Sequence, residues 1–327
     1  MRSWLIAGLL MGAVASRAQS PLDASPQINL TEHLQIQFDQ SLSLDKARAV
    51  SRLGFKLVRL PVTSLDRDFV IVGSVRNLLR AGLNVVLDFH PDNTKDFVRT
   101  DDFWLAPAWW HNLASQFKGE HLDRLAFEIV NEPDYRGKPT ERYDAWLRLC
   151  IEAIREVDPK RWIVASNPYM GDPDFFGGPN GNWTPPKGID RLVVPMHYYR
   201  PFNITHSRNY LAKRRGETVA RGARGAPYPP ENDGSFDDRD YRNMGLHFSR
   251  YRNWCRQNGV WPWVGEAGCY EDVPGREQWF RDVKALGAKN GINICWWSTD
   301  GFAIGAKWDR DGYTLRFPEI LRILTGR

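Results

Sequence analysis

Leu125-Ala126-Phe127-Glu128-Ile129-Val130-Asn131-Glu132-Pro133 is the stretch on which the fold turns. Six mostly apolar residues end abruptly in an amide, a carboxylate and a proline. Proline supplies no ladder N–H and is kept out of strand interiors. The run therefore reads as a buried strand, Leu125–Val130, whose C-terminal end carries polar side chains. An amphipathic segment, Glu141–Val157, follows it. One strand, one polar strand end and one helix make a βα unit.

The same unit recurs in both directions. Strands are expected at Leu57–Val62, Leu83–Phe89, Trp162–Ser166, Leu192–Met196, Trp261–Gly265 and Ile292–Trp297, with a first strand including Gln27–Leu30. Helical periodicity covers Asp45–Leu53, Val75–Ala81, Trp109–Phe117, Arg239–Gln257 and Arg276–Lys289. Several helices stop at Leu53-Gly54, Ala81-Gly82, Asn258-Gly259 and Asn290-Gly291, the glycine C-cap that leads back into a strand. Most strand ends are about 30 to 40 residues apart. The step from 197 to 266 is longer and holds Arg200–Asp238, a stretch rich in Gly, Pro and charge that reads as an extended loop. Eight such units predict an α/β fold of the (β/α)8 TIM-barrel type, and no Gly-x-Gly-x-x-Gly follows the first strand to favour a dinucleotide fold. No linker or second domain is visible, so residues 19–327 are expected to form a single (β/α)8 domain.

The bulk numbers fit. The chain has 327 residues, 42% hydrophobic and 25% charged, which excludes collagen, coiled coil and bulk disorder. Residues 1–18 read as a signal peptide: Arg2, an apolar run from Trp4 to Val14, then Ser16-Arg17-Ala18. The run is short for a membrane span, so a secreted or periplasmic protein is expected. Losing Arg2 and Arg17 lowers the net charge from +5 to +3, too little and too dispersed for nucleic acid. Lys213-Arg214-Arg215, Arg221 and Arg224 read as a solvated loop. Cys150, Cys255, Cys269 and Cys295 have no zinc-site spacing, and either disulfides or buried thiols suit them. Fourteen Trp are many, and a flat indole with a polar N–H suits sugar faces as well as core.

Chemistry concentrates at the strand ends. Arg59, His90, Asn131 and Glu132, His197 and Tyr199, Glu266, and Trp296-Trp297 all stand where a barrel gathers its active site. Glu132 and Glu266 fall on strands 4 and 7, which face one another across the mouth. Two facing carboxyls, one protonated and one ionised, are the equipment of glycoside hydrolysis. Tyr199 should point inward and Tyr198 outward, since strand neighbours alternate. Asp88 and His90 share the inward face, and with Asp92 they raise the question of a metal, but no second histidine lies near. Glu128 reads as an ion-pair partner behind the barrel. Trp104, Trp109, Trp110 and Trp183 are candidate sugar platforms or packing residues.

The ordered set Leu57–Pro61, Leu87–His90, Ile129–Pro133, His197–Tyr199, Val264–Gly268 and Trp296–Ile304 resembles glycoside hydrolase family 5, the cellulase A family of clan A, from about Gly54 to Gly305. The resemblance implies Glu132 as acid/base and Glu266 as nucleophile of a retaining enzyme without cofactor or metal. It implies that Tyr199 hydrogen-bonds the nucleophile and Arg59 holds it ionised. It implies that Asn131 binds the 2-hydroxyl of the attacked sugar, that His90 and His197 line that subsite, and that Trp297 is its platform. The sequence departs from the family at Pro91, after His90, and in its short first-strand segment. The expected partner is a polysaccharide or oligosaccharide bound by a monomer, with no nucleic acid and no membrane. Endo cleavage of a β-1,4-glucan such as cellulose comes first. β-Mannanase and exo-β-glucosidase action stay open, as do a non-catalytic carbohydrate-binding barrel and a metal-dependent barrel hydrolase.

Overall fold

The computed structural model describes residues 20–31, 41–65, 67–91, 101–177, 183–218, 226–229, 239–309 and 312–327. The expected leader, Asp92, Arg221 and Arg224 lie outside the described residues. The chain runs β1 (Gln27–Asn29), α1 (Leu44–Arg52), β2 (Leu57–Val62), α2 (Asp68–Arg80), β3 (Asn84–Phe89), α3 (Asp101–Gln116), β4 (Leu125–Glu128), α4 (Glu141–Val157) and β5 (Trp162–Val164). It continues with β6 (Leu192–Tyr198), α5 (Phe202–Thr205), α6 (Arg208–Arg214), α7 (Arg239–Asn258), β7 (Trp261–Ala267), α8 (Arg276–Asn290) and β8 (Ile294–Trp296), then β9 (Ala306–Asp309), β10 (Gly312–Leu315) and α9 (Pro318–Thr325). Strands β1 to β8 pair in chain order as parallel neighbours, and β8 closes on β1. This is the expected (β/α)8 barrel.

Alternation along the strands sorts the residues into shells. Val85, Leu87, Phe127 and Ile129 face outward and join the helices, where Trp110 packs on Phe127 with ring centroids 5.4 Å apart. Leu57, Val86, Ala126, Trp162, Val193, Trp263 and Cys295 face inward and fill the lower barrel. The next inward position along several strands is polar: Asn29, Arg59, Asp88 and Glu128, all fully buried. The floor is sealed by the turn at Pro21–Asp23, where Leu22 joins the inner cluster. Asn84 and Asn293 donate to the Pro21 and Leu22 carbonyls at 2.9 Å each.

Several boundaries differ from the sequence reading. Helices α2 and α3 begin earlier than periodicity suggests; in α3, Asp101–Gln116, Pro107 lies inside the helix and the first turns expose Trp104 and Leu105, which breaks the apolar pattern. Part of the expected loop 200–238 is helical, in α5 and α6. The hairpin β9–β10 and the helix α9 were not anticipated. All four cysteines are buried and free, which resolves the disulfide question. Among the described residues no helix is long and apolar enough to cross a membrane.

Candidate active site

The C-terminal strand ends bring the expected residues together. Glu132 follows β4, and Glu266 lies in β7. At least one oxygen of each carboxylate and Nδ1 of His197 lie within 4.8 Å of one another. Local backbone irregularity aims them. The ladder between β6 and β7 shifts register at Met196/His197, and that between β7 and β8 shifts across Val264 to Ala267, where the Glu266 side chain turns inward. Glu132 has φ +40°, a left-handed conformation that costs a glutamate on the order of 1–3 kcal/mol. The loop behind it is pinned to compensate: Met170 N–H donates to the Pro133 carbonyl at 3.1 Å, and Tyr135 N–H to the Pro168 carbonyl at 2.8 Å.

Glu266 has both oxygens engaged. Arg59 Nη1 donates to Oε1 at 2.8 Å and the Tyr199 hydroxyl to Oε2 at 2.8 Å. Tyr198, its neighbour in chain order, faces the helix layer and packs on Phe248, as strand alternation predicts. His197 Nδ1 shares a proton with Glu132 Oε1 at 2.7 Å and stands 3.6 Å from Glu266 Oε2. Burial pulls the His197 ring down to about 4, so it is neutral near pH 7. Two glycines make room for it. A Cβ at Gly265 would come within 3.0 Å of the ring Nε2, and one at Gly171, which has φ +67°, within 3.0 Å of the His197 backbone nitrogen.

Arg59 is fully buried at the centre of the network. It forks onto Glu128 at 2.6 and 3.0 Å and reaches Asn29 Oδ1 at 3.0 Å and Asn131 Oδ1 at 2.8 Å. It also stands 3.0 Å from Asp88 Oδ2. A hydrogen-bonded ring closes from there. Asp88 Oδ2 meets His90 Nδ1 at 2.9 Å, and His90 Nε2 meets Asn131 Nδ2 at 3.1 Å. This ring fixes the Asn131 amide and leaves its second N–H for a ligand. The His90 ring stacks on Trp297 with centroids 5.5 Å apart. Trp296 is buried against Phe280, so Trp297 is the indole that faces the site.

Glu128 corrects an expectation. It is an ion-pair partner, but it lies inside the barrel and not behind it. The reason is parity: Glu128 is in register with Asp88, itself aligned with Pro61, two residues beyond inward Arg59. Sequence reasoning also missed Asn29, whose Nδ2 donates to the Gly265 carbonyl at 3.0 Å and ties β1 to the Glu266 strand. Of the four candidate platforms, Trp110 donates to the Ile129 carbonyl within the core and Trp183 to Asp144 at 2.7 Å. Trp109 packs partly on the core. Trp104 is exposed, with Arg142 over its ring.

One guanidinium thus faces three carboxylates. Burial raises Asp88 to about 7 against the pull of Arg59, and raises Glu128 and Glu266. Burial also pushes Glu132 up to about 7, opposed by His90, Arg59 and Arg136. Glu266 has Arg59 hydrogen-bonded to it, whereas among the described residues no cation is hydrogen-bonded to Glu132, which is open at one side. The two environments therefore favour ionised Glu266 and protonated Glu132. Glu132, His197 and Glu266 are close enough to ligate a metal ion, but the Arg59 charge on the same Glu266 carboxylate opposes a cation there.

Comparison with known proteins agrees with this arrangement. The model of the cellulase family, glycosyl hydrolase family 5, matches residues 39–303. Endoglucanase C of Acetivibrio thermocellus is 24% identical over 232 residues, 60% of each chain. Endoglucanase 3 of Fibrobacter succinogenes is 26% identical over 181 residues, 47% of this chain and 27% of that relative. The chain thus spans about 60% or less of the length of these relatives. Among solved structures, endoglucanase Cel5A from Thermotoga maritima superposes with a TM-score of 0.73 at 22% identity, covering 93% of this chain and 99% of that one. Cellulose synthase subunit Z from Clostridioides difficile gives 0.72 at 23% identity, covering 92% and 99%. With an ordered barrel, a family match over most of its length and two facing carboxylates at the strand ends, this chain belongs to the cellulase family of glycosidases, glycosyl hydrolase family 5.

Proposed function

We propose that the protein is an exported, monomeric, retaining endo-β-glycosidase that cleaves a β-1,4-linked glucan. The observation that carries this reading is the short separation of the two carboxylates, within 4.8 Å at their nearest oxygens. Retaining enzymes hold their carboxyls about 5–5.5 Å apart, whereas inverting enzymes leave about 6.5–9.5 Å for a water molecule. In the first step Glu266 attacks the anomeric carbon, the glycosidic C–O bond breaks, and the departing oxygen takes the proton of Glu132. In the second, Glu132 takes a proton from water, the water oxygen bonds to the anomeric carbon, and the ester to Glu266 breaks. Arg59 and Tyr199 hold the Glu266 oxygens during both steps, Asn131 offers its amide N–H to the 2-hydroxyl, and Trp297 backs the attacked sugar.

The names of the relatives, both endoglucanases, support a glucan and internal cleavage. Export rests on the leader expected at residues 1–18, and residues 19–327 then form one catalytic domain. The test is reducing-sugar release from carboxymethylcellulose, barley β-glucan, xyloglucan, galactomannan and xylan by wild type and Glu132→Ala. Release from a β-glucan, lost in the variant, is expected. Release from galactomannan alone would transfer the reading to a β-mannanase. No release from any polymer by folded protein would count for a carbohydrate-binding barrel.

A further inference from the structure

The end of β6 carries His197 and Tyr199, which reach the two carboxylates, and between them Tyr198, which does not. Alternation turns Tyr198 into the helix layer, where it is fully buried. Its hydroxyl meets Nδ1 of His247 at 3.3 Å, and its ring packs on Phe248 with centroids 4.9 Å apart. His247 is itself buried, on α7. Its Nε2 stands 3.4 Å from Asp174 Oδ1 in the turn Pro173–Phe175. With Nε2–H directed at that carboxylate, Nδ1 is left to accept from the Tyr198 hydroxyl. Asp174 is held below the usual carboxylate range, first by its hydrogen bond with His247, then by Arg200 and Arg250, against its burial.

The same aspartate leads back to the strand. Arg200 Nη2 donates to Asp174 Oδ2 and to Asp172 Oδ1 at 2.8 Å each, and the Arg200 carbonyl accepts from Trp279 Nε1 at 2.9 Å. Tyr198 and Arg200 flank Tyr199 in the chain, so both neighbours of the residue that donates to Glu266 converge on one His247–Asp174 pair. The β6–β7 ladder slips at Met196/His197, just before this segment, so side-chain anchors matter more there. Before the slip α7 grips the strands a second time. Tyr251, four residues after His247, donates to the Val194 carbonyl at 2.5 Å and accepts from the Trp263 N–H at 2.7 Å. Among the described residues neither His247 nor Asp174 hydrogen-bonds Glu132 or Glu266. Hydrogen bonds made by a buried imidazole and phenol largely offset the cost of desolvating them, and two apolar rings would fill the layer without that cost. Packing of α7 alone therefore does not call for the pair.

We infer that His247, backed by Asp174, is a positioning residue: it fixes Tyr198 and, through that strand end, the Tyr199 hydroxyl on Glu266. This rests on the roles proposed above for Glu266 and Tyr199. Glu266 is faced by Arg59 from β2, by His197 and Tyr199 from β6, by Glu132 after β4 and by His90 after β3. His197 has an anchor of its own, its N–H donating to the Gly171 carbonyl at 2.9 Å, so the Tyr199 bond is the one the clamp controls. His247→Phe keeps a ring in the layer and removes both polar contacts. On a soluble oligosaccharide of the polymer cleaved it should lower kcat about tenfold or more and change KM less than about twofold. The Tyr199 hydroxyl favours ionised Glu266, so loosening it should raise the acid limb of kcat/KM by about half a pH unit or more. In the Tyr199→Phe background, where that bond is already gone, His247→Phe should leave the acid limb in place. Tyr198→Phe loses one oxygen and keeps the ring; it should move the limb the same way, and it carries the test if His247→Phe does not fold. An acid limb that stays put while only the melting temperature falls would reduce the pair to packing, and equal displacements with and without the Tyr199 hydroxyl would mean that it acts elsewhere; each overturns the assignment. A wild type without activity would instead sink the hydrolase reading. Carbon-13 NMR titration of the Glu266 carboxyl, identified by its loss in Glu266→Gln, needs no substrate and then decides the clamp separately. A midpoint raised by His247→Phe only when the Tyr199 hydroxyl is present supports it, and an unmoved midpoint overturns it.

Discussion

Replacing Glu132 by Gln should inactivate the enzyme and stabilise its fold, in a pH-dependent way. Burial lifts this carboxyl from 4.5 to about 7. A shift of that size is worth about 3 kcal/mol between protonated and ionised forms. The folded protein thus holds the Glu132 proton across a range where the unfolded chain has released it. Stability consequently falls as pH rises from about 4.5 to about 7, and the whole cost is present above that window. Glutamine never ionises and so removes the cost. Its side-chain oxygen still accepts from His197, and the left-handed backbone at this position is common to both proteins, so that strain cancels. The side chain is 22% exposed, which makes 3 kcal/mol an upper bound. Urea denaturation of both proteins at pH 4, 6 and 8 reads the effect. The curves should coincide at pH 4 and separate by up to about 3 kcal/mol in favour of Glu132→Gln at pH 8. A gain that is the same at every pH, or a loss at pH 8, would refute the reasoning.

On the proposed mechanism the same protonation governs activity. The raised Glu132 carboxyl places the alkaline limb of kcat/KM near pH 7; Arg136→Gln should move it up and Asp172→Asn down, since the first charge favours the carboxylate and the second opposes it. No movement in either variant would disconnect that limb from Glu132. Arg59→Lys keeps a charge but cannot span Glu128, Glu266, Asn29 and Asn131 at once. It should cost about 3–5 kcal/mol in denaturation, as breaking a buried ion pair does, and lower kcat at least about a hundredfold; near-wild-type values would discount the network. Glu266→Ala should lose turnover with its circular dichroism unchanged, and azide should restore reaction as an α-glycosyl azide, whereas a β-azide would contradict its role. Dialysis against EDTA should leave activity intact, and restoration of a lost activity by zinc would revive the metal-dependent reading.

The sequence carried the barrel because eight βα units recur in order and six of the strand ends carry polar or indole side chains, which meet at one face only in a closed sheet. Arg59, His90, Glu132 and Glu266 could be picked out for that reason. Strand parity also separated Tyr199 from Tyr198. The buried polar layer beneath was harder. Asp88, Glu128 and Asn29 sit inside apolar runs, and their pairing depends on strand register, which length and periodicity do not fix. Parity alone, applied from Ala126 to Glu128, would have turned Glu128 inward. Trp183 and Trp110 drew attention as aromatics, but burial decides whether an indole serves a ligand or the core, and one chain does not reveal burial.

The central claim is a covalent glycosyl–enzyme intermediate on Glu266. Incubation with 2,4-dinitrophenyl 2-deoxy-2-fluoro-β-cellobioside, followed by proteolysis and mass spectrometry, tests it most directly. One 2-fluorocellobiosyl group on the peptide carrying Glu266 is predicted, with dinitrophenol released in equal amount. A label on Glu132, or no label from a protein that cleaves glucan to products of inverted configuration, would contradict it.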